Sequence, residues 1–153
     1  MMATTAEGRS TPAHLWIVGM LGLFWNLFGA FDYFMMRTKG AEWIRNMLPG
    51  PEADRYVEYI DQFPIWASIG WGLGVWVGLA GAILLLMRNR LAVPAFGLSL
   101  VGAILGIGYQ LANPVDIPEM SRGFNAVVPY LVIVIAAALF LYARAMQKQG
   151  VLR

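Results

Sequence analysis

Four long apolar stretches, each of at least 20 residues, alternate with shorter polar segments along the 153-residue chain. A helix of ~20 residues, with ~1.5 Å of rise per residue, crosses the ~30 Å hydrocarbon core of a bilayer. The pattern predicts membrane-spanning helices at residues 15–36, 64–87, 93–112 and 125–146. We therefore expect an all-α polytopic membrane protein, a bundle of four transmembrane helices that forms one membrane domain over residues 1–153.

The segment between the first two spans, residues 38–62, has a different pattern, because its apolar residues recur at helical spacing opposite a charged face. These apolar residues are Trp43, Ile44, Met47 and Leu48 in the first half, and Tyr56, Val57, Ile60 and Phe63 in the second. Pro49-Gly50-Pro51 breaks the chain between the two halves. The pattern predicts two short amphipathic helices, which either cover the ends of the spans or act as a gate or docking surface.

The composition supports a membrane protein and excludes several kinds of chemistry. Charged residues make up 13% of the chain, whereas about 25% is usual for a soluble domain. The net charge is only +2 and the basic residues are scattered, so the expected partner is the lipid bilayer and not a nucleic acid. The chain has no cysteine and one histidine, His14, which excludes thiolate chemistry and leaves no histidine pair for zinc or haem. We expect no metal and no cofactor.

Small residues recur every four positions in the second and third spans. They are Gly70, Gly74 and Gly78 in the second span, and Gly102 and Gly106 in the third. Faces of this kind let two helix backbones approach closely, so we expect these glycines to pack helix against helix. The same faces could also line a transport cavity or the seam of a homo-oligomer. The fourth span has almost no polar side chain and is expected to be a lipid-facing wall.

Two polar residues of the first span need an explanation, because polar groups in hydrocarbon cost free energy unless they are paired. Asp32 is the only acid inside any of the apolar stretches, and it lies about one turn from the end of its span. Asn26 lies deeper. It is interpreted either as a hydrogen-bonding residue between helices or as a solute contact.

Antiparallel threading of the spans brings further polar and aromatic residues to the level of Asp32. The expected solute-binding residues are Asp32, Asn26, Tyr33, Trp66 and Gln110. An acid, two amides and aromatic faces suit a small polar solute, and they would equally form a plug of satisfied hydrogen bonds. We expect Asp32 to be ionised, with Gln110 or Arg122 as its partner.

No sequence motif indicates catalysis. The chain has no nucleophile-elbow pattern, no HExxH and no phosphate-binding glycine loop. We expect no catalytic residue and do not expect an enzyme.

The run from Trp25 to Tyr33, WNLFGAFDY, together with Phe63-Pro64-Ile65-Trp66 and the glycine-rich second span, resembles small four-helix inner-membrane proteins of proteobacteria. Such proteins are sometimes labelled sugar transporters. The resemblance implies a bacterial inner-membrane protein that binds or transports a small polar solute such as a sugar. The alternative is a non-transporting membrane interaction or assembly protein. The resemblance identifies no site residue.

The distribution of basic residues predicts the orientation in the membrane. Two arginines, Arg88 and Arg90, lie in the very short turn between the second and third spans, whereas the long connector after the first span is acidic. Because short loops rich in Lys and Arg face the cytoplasm, we expect both ends of the chain, with Arg9 near one of them, to be cytoplasmic.

Overall fold

The computed structural model describes residues 10–153, and this part of the chain contains six α-helices and no strand. In chain order they are α1 (Ala13–Lys39), α2 (Ala41–Ile44), α3 (Pro51–Asp61), α4 (Ile65–Leu86), α5 (Ala92–Ala112) and α6 (Gly123–Lys148). Four of them, α1, α4, α5 and α6, are long and apolar enough to cross a membrane. The predicted fold class is therefore confirmed. Arg9 lies outside the described residues.

The helices begin and end at residues that break a helix. α1 continues past the predicted end of the first span to Lys39, because the first residue that stops it is Gly40, with a φ of +52° that L side chains rarely adopt. Pro12 and Pro64 precede α1 and α4 in extended conformation. Pro51 occupies the first turn of α3, where its missing N–H is not needed.

The long helices pack in the order α1, α4, α5, α6, with α4 and α5 in the closest contact. A Cβ atom built on Gly102 would lie 2.5 Å from the backbone nitrogen of Gly74, and one on Gly70 would lie 2.5 Å from the Cβ of Leu105. On Gly106 it would lie 3.0 Å from the Cα of Trp71. No side chain fits in these spaces, so the two backbones can approach this closely only because glycine is present.

Gly78 lies at a different contact from the other glycines of α4. A side chain there would collide with the carboxamide of Asn26 on α1 and the hydroxyl of Ser99 on α5. The Ser99 hydroxyl is buried and donates a hydrogen bond to the Gly74 carbonyl, with 2.6 Å between the oxygens. Gly78 therefore provides the space in which the polar side chains of α1 and α5 meet α4.

Two separate hydrophobic cores close the two ends of the bundle. At one end, called the Arg88 end, the core joins the start of α1, the end of α4, the start of α5, the end of α6 and the tail after α6. Its buried residues are Leu15, Ala82, Leu85, Ala92, Phe96, Leu139, Ala143, Met146, Val151 and Leu152. At the other end, the core contains Met36, Ile44, Leu48, Ala53, Ile60, Phe63, Ala67 and Ile117.

The outer surface of the bundle is apolar, as contact with lipid requires. α6 buries only Leu139, Ala143 and Met146, which agrees with the wall expected for the fourth span. α1 also exposes a broad apolar face, in which Phe24 is 74% exposed and Leu21 66%. In water such a face would be costly, whereas in hydrocarbon it is not.

Candidate functional site at the capped end

The two short helices α2 and α3, residues 41–61, cover one end of the bundle and are called the cap. The turn at Gly40 reverses the chain after α1, and Gly50, with a φ of +72°, separates the two helices of the cap. Leu48, between them, is 1% exposed and fixes the turn in the core. Arg45 and Asp54 form an ion pair of 3.2 Å across this turn. Both side chains are more than half exposed, so the pair contributes at most about 1 kcal/mol.

Asp32 is held by the cap and not by another span. Its Oδ1 accepts a hydrogen bond from the indole Nε1 of Trp43 on α2, with 2.9 Å between the atoms. The Trp43 ring also meets Phe31 edge to face, with 5.5 Å between ring centroids. The expectation that Gln110 or Arg122 would be the partner is wrong for this bond. The turn at Gly40 brings Trp43 back to Asp32, eleven residues earlier in the chain. The order of the spans in the membrane does not predict this contact.

Tyr56 on α3 interacts with both polar residues that the spans contribute at this end. The Gln110 side chain hydrogen-bonds to it, and the charge of Asp32 acts on it. Burial raises the pKa of the Tyr56 hydroxyl well above its ordinary value, and the neighbouring Asp32 carboxylate and Tyr59 hydroxyl raise it further. Tyr56 is therefore protonated at neutral pH. The Tyr56 hydroxyl thus lies near both Asp32 and Gln110.

Aromatic rings connect the cap to α1, α4 and α5. Tyr33 meets Trp71 edge to face at 5.0 Å between centroids, and Trp66 meets Tyr109 in the same way at 5.5 Å. Phe63, between α3 and α4, contacts Tyr109 at 4.9 Å. Pairs of this geometry contribute about 0.5–1.5 kcal/mol each beyond the burial of their surface. The rings therefore form one continuous aromatic layer beneath the cap.

The cap is also bonded to the connector between α5 and α6. The Tyr59 hydroxyl donates to the carbonyl of Asn113, with 2.6 Å between the oxygens, and burial raises the pKa of Tyr59 to about 12. Arg55 donates from Nη2 to the carbonyl of Asp116 at 3.0 Å. The next residue, Ile117, is buried in the core of this end. These contacts hold the cap against the connector between α5 and α6.

Four of the five residues expected to bind solute belong to this one network. Asp32 and Gln110 meet at Tyr56, while Tyr33 and Trp66 belong to the aromatic layer. Asn26 is elsewhere. Its amide nitrogen donates to the carbonyl of Gly22 in its own helix at 2.7 Å, and its side chain lies against Gly78 and Ser99. The structure therefore places Asn26 in the packing of α1 on α4 and α5, apart from the capped end.

Sequence reasoning missed the two residues that hold Asp32 and Gln110. Trp43 and Tyr56 lie on the apolar stripes of the cap, which predict helices that cover the span ends or act as a gate or docking surface and indicate no hydrogen-bond partner. The hydrogen-bonding groups of these two side chains could have indicated them. A buried tryptophan or tyrosine usually needs a partner for its N–H or O–H, and Asp32 is the one acid of the spans that could supply an acceptor.

The groups at the capped end combine hydrogen-bonding side chains with aromatic rings. Asp32 offers carboxylate oxygens, Gln110 an amide, and Tyr56 a hydroxyl, with aromatic rings beside them. Such groups hydrogen-bond hydroxyl-rich molecules and pack on their apolar faces. Among residues 10–153 no group of three or more His, Asp or Glu side chains is placed to hold a metal ion.

Comparisons with known proteins add no assignment. No family model, no curated protein and no solved structure matches this chain.

Proposed function

We propose that this protein binds a small polar solute, such as a sugar, beneath the cap of its four-helix membrane bundle. The observation that carries the proposal is the way Asp32 and Gln110 are partnered. Both belong to membrane spans, yet their partners Trp43 and Tyr56 belong to the cap. Displacing the cap would leave a carboxylate and an amide without these partners, and a solute with several hydroxyl groups could replace them.

The aromatic layer supports the same function. Trp66 is 49% exposed and stands edge to face on Tyr109, so part of its ring surface is free for a further contact. Rings of this kind provide apolar contact area at little cost in conformational entropy. A pyranose ring, which has hydroxyl groups at its edge and C–H groups on its faces, matches both kinds of group.

The proposed orientation places the capped end outside and the Arg88 end in the cytoplasm of a bacterial inner membrane. The Arg88 end carries Arg88, Arg90, Arg144, Lys148 and Arg153. No acid occurs in residues 62–115 or 120–153, so all acidic side chains of the described residues lie at or near the capped end. The orientation itself is supported by the short turn that carries Arg88 and Arg90, because the rule that positive loops stay inside counts Lys and Arg in short loops.

Cysteine labelling tests the orientation cleanly because the chain has no cysteine of its own. We expect a membrane-impermeant thiol reagent, applied to intact cells, to label Asp54→Cys and to leave Asn89→Cys unlabelled. The reverse pattern would overturn the orientation.

A thermal-shift panel of sugars and other small polar solutes on the detergent-purified protein tests the function. At least one solute should raise the midpoint of the wild type, because ligands that bind only the folded state stabilise it. The shift should be lost in Asp32→Asn and kept in the matched control Glu58→Gln, an exposed acid on the cap. If no solute shifts the wild type, or if Asp32→Asn shifts as much as the control, the proposed site is refuted.

One observation favours a second function, that of a non-transporting assembly protein. Within the described residues, the cap donates hydrogen bonds to Asp32, Asn113 and Asp116, so the polar groups at this end are already satisfied by the chain itself. In that case the cluster would be a structural plug, and partners, including further copies of the chain, would bind elsewhere. The small-residue faces of α4 and α5 are not available for such contacts, because their glycines already pack against a neighbouring helix of the same chain: Gly70, Gly74, Gly78, Gly102 and Gly106. A panel without any shift would favour this function.

A further inference from the structure

The Arg88 end of the bundle carries a second polar site, which is independent of the proposed solute site. A pocket of about 270 Å³ lies where the turn after α4 meets the tail after α6. It is lined by Met87, Arg88, Asn89 and Arg153. Two of these four side chains are guanidinium groups, which distinguishes this pocket from the apolar surface around it.

Arg88 occupies a backbone conformation that normally requires glycine. Its φ is +57°, and it is the only non-glycine residue with positive φ among residues 10–153. The conformation ends α4, since the N–H of Arg88 bonds to the Leu85 carbonyl at 3.0 Å and that of Asn89 to the Leu84 carbonyl at 2.8 Å. Glycine would serve this turn without strain. An arginine here is therefore explained by what its side chain does.

Backbone hydrogen bonds bring Arg153 next to Arg88 although 65 residues separate them in sequence. The N–H of Arg153 bonds to the Arg88 carbonyl at 2.8 Å, and the N–H of Arg90 bonds to the Arg153 carbonyl at 2.9 Å. Val151 and Leu152 are 3% and 5% exposed and anchor the tail in the core. The backbones of Arg88 and Arg153 are thus held together, and both residues line the same pocket.

Arg88 carries a buried polar atom without a partner, and no Asp or Glu side chain of residues 10–153 lies near it at this end. The Nη2 atom of Arg88 is buried and has no hydrogen-bond partner, and its Nε makes only a long bond of 3.4 Å to the Val151 carbonyl. A buried guanidinium nitrogen without an acceptor is costly, and two neighbouring cations repel each other, so an anion that both could share would remove both costs.

We propose that the Arg88–Arg153 pocket binds a phosphate group, carried by an anionic lipid headgroup or present as free inorganic phosphate. The guanidinium fork presents paired N–H donors that match phosphate oxygens. The pocket begins directly after the last residue of a membrane span, at the depth where lipid phosphates lie. In the proposed orientation this is the cytoplasmic leaflet, where juxtamembrane basic residues meet anionic lipids.

The test measures thermal midpoints of the protein in an uncharged detergent. Phosphatidylglycerol is titrated against phosphatidylcholine, and sodium phosphate against sodium chloride at equal ionic strength. A shift with phosphatidylglycerol alone identifies the lipid as the source of the phosphate, and a shift with sodium phosphate alone identifies the free ion. Arg88→Gln should weaken the apparent affinity about tenfold or more, the usual consequence of losing a hydrogen bond to a charged group.

Two further variants make the outcome decisive. Lys148→Gln removes the same charge from the same end without touching the pocket, and it should keep the wild-type affinity. Arg88→Gly should raise the midpoint of the unliganded protein, because it relieves the strained φ, and should nevertheless lose the shift. The proposal is overturned if neither phosphate source shifts the wild type, if Lys148→Gln loses as much affinity as Arg88→Gln, or if Arg88→Gly keeps the shift.

Discussion

The two ends of the bundle are closed in different ways. At the Arg88 end, the spans supply nearly all of the core formed by residues 10–153, together with a short tail whose Val151 and Leu152 are buried. At the capped end, a separate pair of short helices covers the spans and is attached through aromatic edges and hydrogen bonds such as Trp43 to Asp32. A core formed by the spans can open only if the bundle comes apart, whereas a cap can move while the bundle stays intact. The difference predicts that local opening is easier at the capped end than at the Arg88 end.

The largest expected effect is at the close contact between α4 and α5, the two helices that connect the two ends of the bundle. Gly74→Leu should prevent assembly, or cost more than the ~3 kcal/mol at which overpacking usually stops, because Cα and backbone nitrogen atoms of Ala103 lie within 3.4 Å of the space that the side chain needs. Val75→Leu, one position along the same helix, is the matched control and should be tolerated. Thermal stability in detergent is the measurement. Equal midpoints for the two variants would show that α4 and α5 are not in close contact there.

A pair of identical substitutions compares the two ends directly. Leu85 at the Arg88 end and Leu48 in the cap are 0% and 1% exposed. Leu85→Ala should lower global stability by about 2–5 kcal/mol, the usual cost of such a cavity. Leu48→Ala should lower the global midpoint less, and should instead accelerate hydrogen exchange of the α3 amides. If both variants lose equal global stability and α3 exchanges no faster than α4, the cap is not a separate unit.

A smaller effect should appear at alkaline pH. The pKa of Tyr56 is higher in the folded protein than in the unfolded chain, so the folded state keeps its proton more firmly. The resulting stability is complete below the unfolded value of ~10 and is lost as pH rises beyond it. The stability difference between wild type and Tyr56→Phe should therefore be constant from pH 7 to 9 and should shift against the wild type above about pH 10. A difference that stays constant up to pH 11 would contradict the coupling of Tyr56 to Asp32 and the core.

The fold could be predicted from the sequence because its determinants are local. The length of each apolar stretch gives a span, and Pro49-Gly50-Pro51 marks the turn between the two helices of the cap. The position of the glycines on α4 and α5 likewise follows from their spacing of four residues, since helix geometry places such residues on one face. These properties need no knowledge of how the helices are arranged in space.

The site could be predicted only as a group of residues at one level of the membrane. Threading brought Asp32, Tyr33, Trp66 and Gln110 to the same end, but it could not identify Trp43 as the donor to Asp32, because that contact depends on the direction in which the chain leaves Gly40. Asn26 was placed with the solute residues because a buried amide needs a partner, and its partner proved to be a carbonyl four residues earlier in its own helix. The strained Arg88 has no sequence signal, since the residue usual there is glycine.

The most direct test of the account is the solute affinity of Trp43→Phe, measured with whichever solute stabilises the wild type. This substitution keeps an aromatic ring and removes only the N–H that donates to Asp32. If the cap covers a solute site, the Trp43 bond competes with the solute, so the variant should be less stable without solute and should bind it about two- to tenfold more tightly. A variant that loses stability and binds every solute no more tightly than the wild type would contradict the account, because Trp43 would then close a structural plug and not a binding site.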